Sequence, residues 1–327
     1  MFSDKSVQLR GLRKQVKLSK KAAFAEGTRV NLNIQWMTFI SFCIYFELPW
    51  LPTTADVICL YAQFLSQTFK APASIRNYIC GVKTLHVLTD TQTLIFDTVE
   101  LRLAIKGLAR LNPHCPKRAA PITPEILLAI HAILDFSNVQ HTVFWSIFLL
   151  AFFTFARKSN LVASGKVSHQ LLRENITVGS KGMLVTFKWT KTIQFGQRQL
   201  VVPVVSIPNS PLCPVLAYRR MCSRVPASSV GPAFVLPSSC KSHVYPVTYT
   251  QYQKFLRRVI QIIGFNPGDF SSHSFRRGGA TWAFRCKVPG ELVKVHGDWA
   301  SDAYLKYLDF SLDQRLEVAR TMVASLP

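Results

Sequence analysis

This 327-residue chain is short of acidic side chains: 17 Asp and Glu stand against 39 Lys and Arg, a formal net charge of +22. A surface so short of carboxylates carries a strong positive field, which calls for a polyanionic partner. Nucleic acid is the commonest soluble one, and its phosphates reward each bound cation by releasing counterions. The eight cysteines include no CxxC pair and no histidine at ligand spacing, which argues against a zinc module and against a disulfide framework. They read as reduced thiols of an intracellular protein. No glycine-rich phosphate loop is present, so a nucleotide is not expected as an energy source. The longest apolar run, "TVFWSIFLLAFFTFA" from Thr142 to Ala156, falls short of the ~20 residues that a bilayer-spanning helix needs and reads as a core helix. The first 27 residues, "MFSDKSVQLRGLRKQVKLSKKAAFAEG", lack the apolar stretch and cleavage site of a secretory signal. They read as a basic, partly helical arm able to touch DNA or to serve as a nuclear address.

What is present divides by texture. Helical rhythm broken by turn signals predicts helices over Thr28–Phe46, Thr54–Phe69, Ala73–Leu88 and Asp97–Leu111. The third opens on Ser74 as an expected N-cap, with Ile75, Tyr78, Ile79, Val82 and Leu85 as its apolar stripe. Arg76 and Lys83 fall outside that stripe, as candidate phosphate contacts or as an ordinary solvated face. "NPHCPKRAAPIT" reads as a linker, after which Thr123 should cap a helix with Pro124 in its first turn. The core helix should then deliver Arg157 at its C-terminal end, where the helix dipole favours a cation. Alternation around Gly179, Gly182 and Gly196 predicts a three-stranded antiparallel sheet, followed by Pro-rich text with a helix near Val215–Arg224 and another in "TYTQYQKFLRRVIQIIGF". The predicted class is mainly α with a small antiparallel β-sheet.

One set of residues carries chemistry. Arg157 follows the core helix, Lys191 lies in "KWTKTIQFG", and His273 and Arg276 stand one helical turn apart in "HSFRRGGATW". "VHGDWASDAYLKYL" then offers His296, Trp299, Tyr304 and Tyr307. A phosphodiester under attack becomes a crowded, more negative phosphorus, and two guanidinium forks can bind its oxygens bidentately. A tyrosine can form a covalent link that conserves the phosphodiester bond energy, since a phenol of pKa about 10 attacks and leaves more readily than an alcohol. A lysine can protonate the departing 5′ oxygen, and a histidine can take the phenolic proton.

In order and context these residues resemble the tyrosine recombinases, whose pattern is Arg, a hairpin Lys, His-x-x-Arg, then His or Trp, then Tyr. The resemblance covers Thr28 to the C-terminus, and the wording of "HSFRRGGATW" and "GDWASDAYLKYL" is most similar to enzymes of eukaryotic mobile elements, the DIRS-like and Ngaro retrotransposons or Cryptons. It implies a basic arm (1–27), a helical core-binding domain (28–112), a linker (113–121) and a mixed α+β catalytic domain (122–327). The implied catalytic residues are Arg157, Lys191, His273, Arg276, Trp299 and the nucleophile Tyr307, ahead of its neighbour Tyr304. The family has its His or Trp directly after the glycine, whereas here Asp298 intervenes, so His296 stands in reserve for Trp299. Arg76, Lys83, Lys188 and Arg277 are the expected further DNA contacts. Gly278, Gly279 and Ala280 should admit close packing beside the site.

The implied activity is site-specific DNA recombination or integration through a 3′-phosphotyrosyl intermediate, with no metal, nucleotide or other cofactor, in a nucleus if the source is eukaryotic. Double-stranded DNA is the implied partner, bound by a homotetramer, with neither a membrane nor a small-molecule substrate. The apolar positions Leu312, Leu316, Val318, Met322 and Val323 of the C-terminal segment are candidates for docking on a neighbour or packing in cis. Two alternatives stay open: a DNA-binding descendant that no longer cleaves, and a nicking-closing enzyme of the type IB topoisomerase kind.

Overall fold

The computed structural model describes residues 5–164, 169–238, 243–308 and 312–324, and the chain divides into two compact units, Met1–Lys117 and Arg118–Pro327. The first unit is helical: α1 (Lys5–Ala22), α2 (Glu26–Tyr45), α3 (Ala55–Ser66), α4 (Pro72–Leu88) and α5 (Val99–Leu111). Its core is filled from α2 to α5, with Phe39 edge-on to Tyr61 at 5.0 Å and Ile79, Val82 and Ile105 buried around them. Thr54 and Thr98 cap α3 and α5 by accepting backbone N–H bonds at 3.3 Å. α4 starts earlier than its sequence suggests. Ala71 is the N-cap and Pro72 opens the helix, so Ser74 lies within the first turn; Pro has no N–H to lose there. α1 buries none of its residues, and its Lys20 pairs with Asp90 at 3.0 Å.

The second unit begins with a strap whose backbone joins the fold at once: Ala120 N–H donates to the Asp269 carbonyl at 2.7 Å and Ile122 N–H to that of Ser274 at 3.0 Å. Thr123 then caps α6 (Pro124–Ile133), with Pro124 in the first turn. α7 (Val139–Phe153) is buried at every position from Thr142 to Phe152, as a helix apolar all round must be. It ends at Thr154, the chain reverses through Phe155 in a left-handed conformation (φ 49°), and Arg157 becomes the N-cap of the short α8 (Lys158–Leu161). Arg157 is therefore not at the end of the core helix, because the reversal takes it out of line with the dipole.

The sheet is antiparallel in the order β1 (Ile176–Val178), β2 (Gly182–Phe187), β3 (Leu200–Val205), with Val185 opposite both Ile176 and Val202. Met183, Val185 and Phe187 alternate into the core while Leu184 faces outward, the period-2 pattern of a half-buried strand. α9 (Pro214–Arg224) packs on α7. A two-stranded sheet, β4 (Val235–Pro237) with β5 (Val244–Pro246), lies in the Pro-rich text where no strand was expected. α10 (Tyr249–Ile262) starts from a capping box of Thr248 and Gln251, and α11 (His273–Arg285) and α12 (Gly290–His296) follow. A 3₁₀ stretch, Asp302–Tyr307, precedes α13 (Leu312–Ala324). The expected class, mainly α with a small antiparallel sheet, is the observed one.

Candidate active site

α11 is seated by its own side chains. Phe275 is fully buried and stacks on Phe148 of α7 at 4.8 Å, while a Cβ at Gly278 would drive into the Ile122 carbonyl and one at Gly279 into that of Phe152. Only a helix without side chains at these two positions can approach the strap and α7 so closely. The first turn of α11 thus brings His273 and Arg276 to the loop that carries Arg157. The ordinary value of the His273 imidazole is lowered first by burial, then by Arg276, Lys158, Arg157 and Lys191, which places these four cationic groups in one field around it. His273 is consequently neutral near pH 7 and able to accept a proton.

Arg276 is the buried centre of this cluster, 2% exposed. It donates to the carbonyls of Phe155 and, at 2.6 Å, Gly297, and its guanidinium lies 3.7 Å from the centre of the Trp299 ring and 5.6 Å from that of Tyr307. Burial, followed by Arg157, pushes Arg276 below its ordinary value, while Tyr307 and Asp298 oppose the shift. Arg157 is likewise pushed down by burial and held up by Asp298 and Tyr307. Two desolvated guanidiniums side by side are costly; Asp298, 3.8 Å from Arg157, offsets part of that cost, and a further anion would offset more. Lys191 lies exposed in the β2–β3 connection, on a tight turn closed by reciprocal backbone bonds of 3.2 Å between Thr190 and Ile193.

The two tyrosines separate clearly. They are three residues apart in a 3₁₀ stretch, where such positions eclipse, yet Tyr307 lies by Arg276 with its carbonyl held at 2.9 Å by the Thr281 hydroxyl. Tyr304 reaches over Gly290, where a Cβ would stand 2.7 Å from its hydroxyl. Trp299 packs against both rings, 5.4 Å from Tyr307 and 6.3 Å from Tyr304, and a Cβ at Gly297 would overlap the indole. His296, the reserve candidate, is turned away: its Nε2 is 2.8 Å from the Phe153 carbonyl, its ring packs on Phe155 at 4.6 Å, and burial lowers its ordinary value.

The expected DNA contacts are placed less uniformly. Arg76 is exposed on α4. Lys83 pairs with Asp97 at 2.6 Å and Lys188 with Glu174 at 2.9 Å, so both already hold a carboxylate. Arg277 donates to the Ala119 carbonyl at 2.9 Å and helps fasten the strap to α11. Asp298 is a residue that sequence reasoning noticed only as an interruption. Its side chain is 3% exposed, and it accepts from the hydroxyls of Thr190 and Thr192 and from Arg198. A carboxylate between the only expected glycine and tryptophan of the motif, in a chain so poor in acid, was the available signal. Among the described residues no group of three or more His, Cys, Asp or Glu could hold a metal ion, and no helix is long and apolar enough to cross a membrane.

No family model and no curated protein sequence matches this chain. Solved structures do. A XerH site-specific recombinase bound to a palindromic difH substrate, in a post-cleavage complex, superposes with a TM-score of 0.62 at 15% identity over 88% of this chain and 76% of that one. A lambda integrase dimer bound to a COC′ core site gives 0.54 at 14% identity over 96% and 82%. The Tn1549 transposon integrase in complex with circular intermediate DNA gives 0.53 at 14% identity over 81% and 85%. Identities of this size speak for architecture alone: the fold of this chain is similar to that of these solved recombinases and integrases.

Proposed function

We propose that this chain is a DNA strand-transferring recombinase or integrase with Tyr307 as nucleophile. The observation that carries the proposal is convergence: Arg157, Lys191, His273, Arg276, Trp299 and Tyr307 come from separate segments of one unit into a single cationic cluster. In the proposed reaction Arg157 and Arg276 hold the non-bridging oxygens of the scissile phosphate. The Tyr307 oxygen forms a bond to phosphorus as the bond to the 5′ oxygen breaks, His273 takes the phenolic proton, and Lys191 supplies a proton to the departing 5′ oxygen. The products are a 3′-phosphotyrosyl link and a free 5′ hydroxyl, which in the reverse chemistry attacks a phosphotyrosyl on a partner strand. Because one phosphoester replaces another, no nucleotide is needed, and we propose that no metal is needed either.

The finer reading follows the resemblance: integration or excision of a eukaryotic mobile element, in a nucleus, by a tetramer on duplex DNA. Two observations support assembly from several copies. Leu312, Leu316, Met322 and Val323 are exposed on α13, while the Val318 side chain lies outside the described residues. An apolar groove of about 490 Å³, lined by residues including Phe153, Trp282, Leu292 and Val295, opens on the same unit.

The test is a duplex nicked beside the scissile phosphate, so that the short cleaved strand diffuses away and the covalent complex accumulates, in buffer containing a chelator. A protein–DNA adduct that is abolished in Tyr307→Phe and retained in Tyr304→Phe supports the proposal. The reverse pattern would move the nucleophile to Tyr304, and DNA binding with no adduct from the unaltered chain would favour the silent DNA-binding alternative.

A further inference from the structure

Among the described residues, Asp298 is the carboxylate that contacts the cationic cluster, through Arg157 and Arg198, and its contacts run in a direction that catalysis alone does not explain. It follows Gly297 in a left-handed conformation (φ 55°), which aims its side chain away from α12 and toward the β2–β3 connection. There it accepts from Thr190, Thr192 and Arg198, residues about 100 positions earlier in the chain. The Thr190 hydroxyl in turn accepts from the N–H groups of Thr192 and Ile193, both at 3.1 Å, which closes the turn whose tip is Lys191. On its other side Asp298 lies 3.8 Å from Arg157 Nη1, and its own carbonyl accepts from Arg157 Nη2 at 3.4 Å. Its neighbours Gly297 and Trp299 hold Arg276.

We infer that Asp298 is a positioning residue that latches the Lys191 turn onto the loop carrying Trp299, fixing the proton donor relative to the two arginines. The threonines flanking Lys191 then have a stated purpose: "TKT" is a lysine between two hydroxyl anchors. An exposed lysine on a hairpin connection would otherwise sample many positions, and a misplacement of about 1 Å costs a catalytic group about 10²-fold in rate. Burial of the carboxylate strengthens the latch, since charge-assisted hydrogen bonds are the strong ones, and three donors satisfy it.

The chemistry of this inference rests on the recombinase reading, while its geometry does not, so two readouts are used. The first is amide hydrogen exchange of the hairpin. In Asp298→Ala and in the milder Thr192→Val, the amides of residues 188–198 should exchange faster than in the unaltered chain, with the β1–β2 ladder unchanged; unaltered exchange in the hairpin of both variants overturns the latch. The second compares DNA carrying oxygen with DNA carrying sulfur at the 5′ bridging position of the scissile phosphate. A thiolate, of pKa about 8.5, departs without a proton and makes Lys191 dispensable. On the oxygen substrate Asp298→Ala should lose about 10²-fold in adduct formation, and on sulfur it should recover to within about threefold of the unaltered chain, as Lys191→Ala should. Arg276→Ala should not recover. An equal loss from Asp298→Ala on both substrates would show that Asp298 acts elsewhere than through Lys191. Should the unaltered chain form no adduct on either substrate, the recombinase reading fails, and hydrogen exchange alone decides the latch.

Discussion

His273 shows how a single side chain acquires its role from its surroundings. An exposed histidine with four cationic neighbours has its ordinary value of 6.5 lowered, partial desolvation of the ring being the larger cause. The neutral form that accepts a proton therefore persists as the pH falls below 6.5. Adduct formation at limiting DNA, which reports the free protein, should stay level from about pH 8 to 6.5 and decline only below it. A decline centred above 6.5 would contradict the role. Folding obeys the same shift: the unfolded chain takes the proton first, so the contribution of this group to stability is present above 6.5 and is lost as the pH falls from 6.5 through the lowered value of the folded chain. For Arg276, which holds two carbonyls and lies over the Trp299 face and beside the Tyr307 ring, replacement by Ala should lower adduct formation by about 10²–10³-fold, the loss typical of a transition-state donor. An unchanged rate would remove it from the machinery.

At the scale of elements, close approach of α11 to the strap and to α7 is what assembles the site. Gly278→Ala should destabilise the fold by about 1–3 kcal/mol, because the neighbour is a backbone carbonyl that has little freedom to yield. The contrasting change is Gly107→Ala in α5, where an added Cβ meets nothing within 4 Å; it should stabilise by about 0.5–1 kcal/mol through helix propensity. Urea unfolding of the two variants reads both signs, and equal effects would contradict the packing account. The same elements explain what the sequence did and did not disclose. Thr123 caps its helix as expected, and strand alternation placed β1 to β3, because both signals are local. The identity of Arg157 was legible from its motif, but its setting was not, since nothing in the letters marks Phe155 for a left-handed reversal. Asp298 was legible only as an oddity, because its meaning lies in contacts with Thr190, Thr192 and Arg198. The pairing of β4 with β5 was hidden for another reason: three-residue strands in Pro-rich text carry too few residues to display a period.

For the whole molecule, the excess of 22 positive charges is spread over exposed helices such as α1 as well as the site. DNA affinity should therefore fall steeply with salt on a double-logarithmic plot, with a slope near −0.9 for each phosphate neutralised, and a flat response would remove the charge argument. The individual cations will not contribute equally. Lys83 and Lys188 already have acidic partners and Arg277 serves the strap, so their loss should alter that slope less than the loss of the exposed Arg76.

The central claim, that Tyr307 forms the covalent bond to DNA, is tested most directly on the adduct itself. Lys306 separates the two candidate tyrosines, so tryptic digestion places Tyr304 and Tyr307 on different peptides. Mass spectrometry of the nuclease-trimmed adduct should find the nucleotide on the peptide that begins at Tyr307. Nucleotide on the peptide ending at Lys306 would contradict the account.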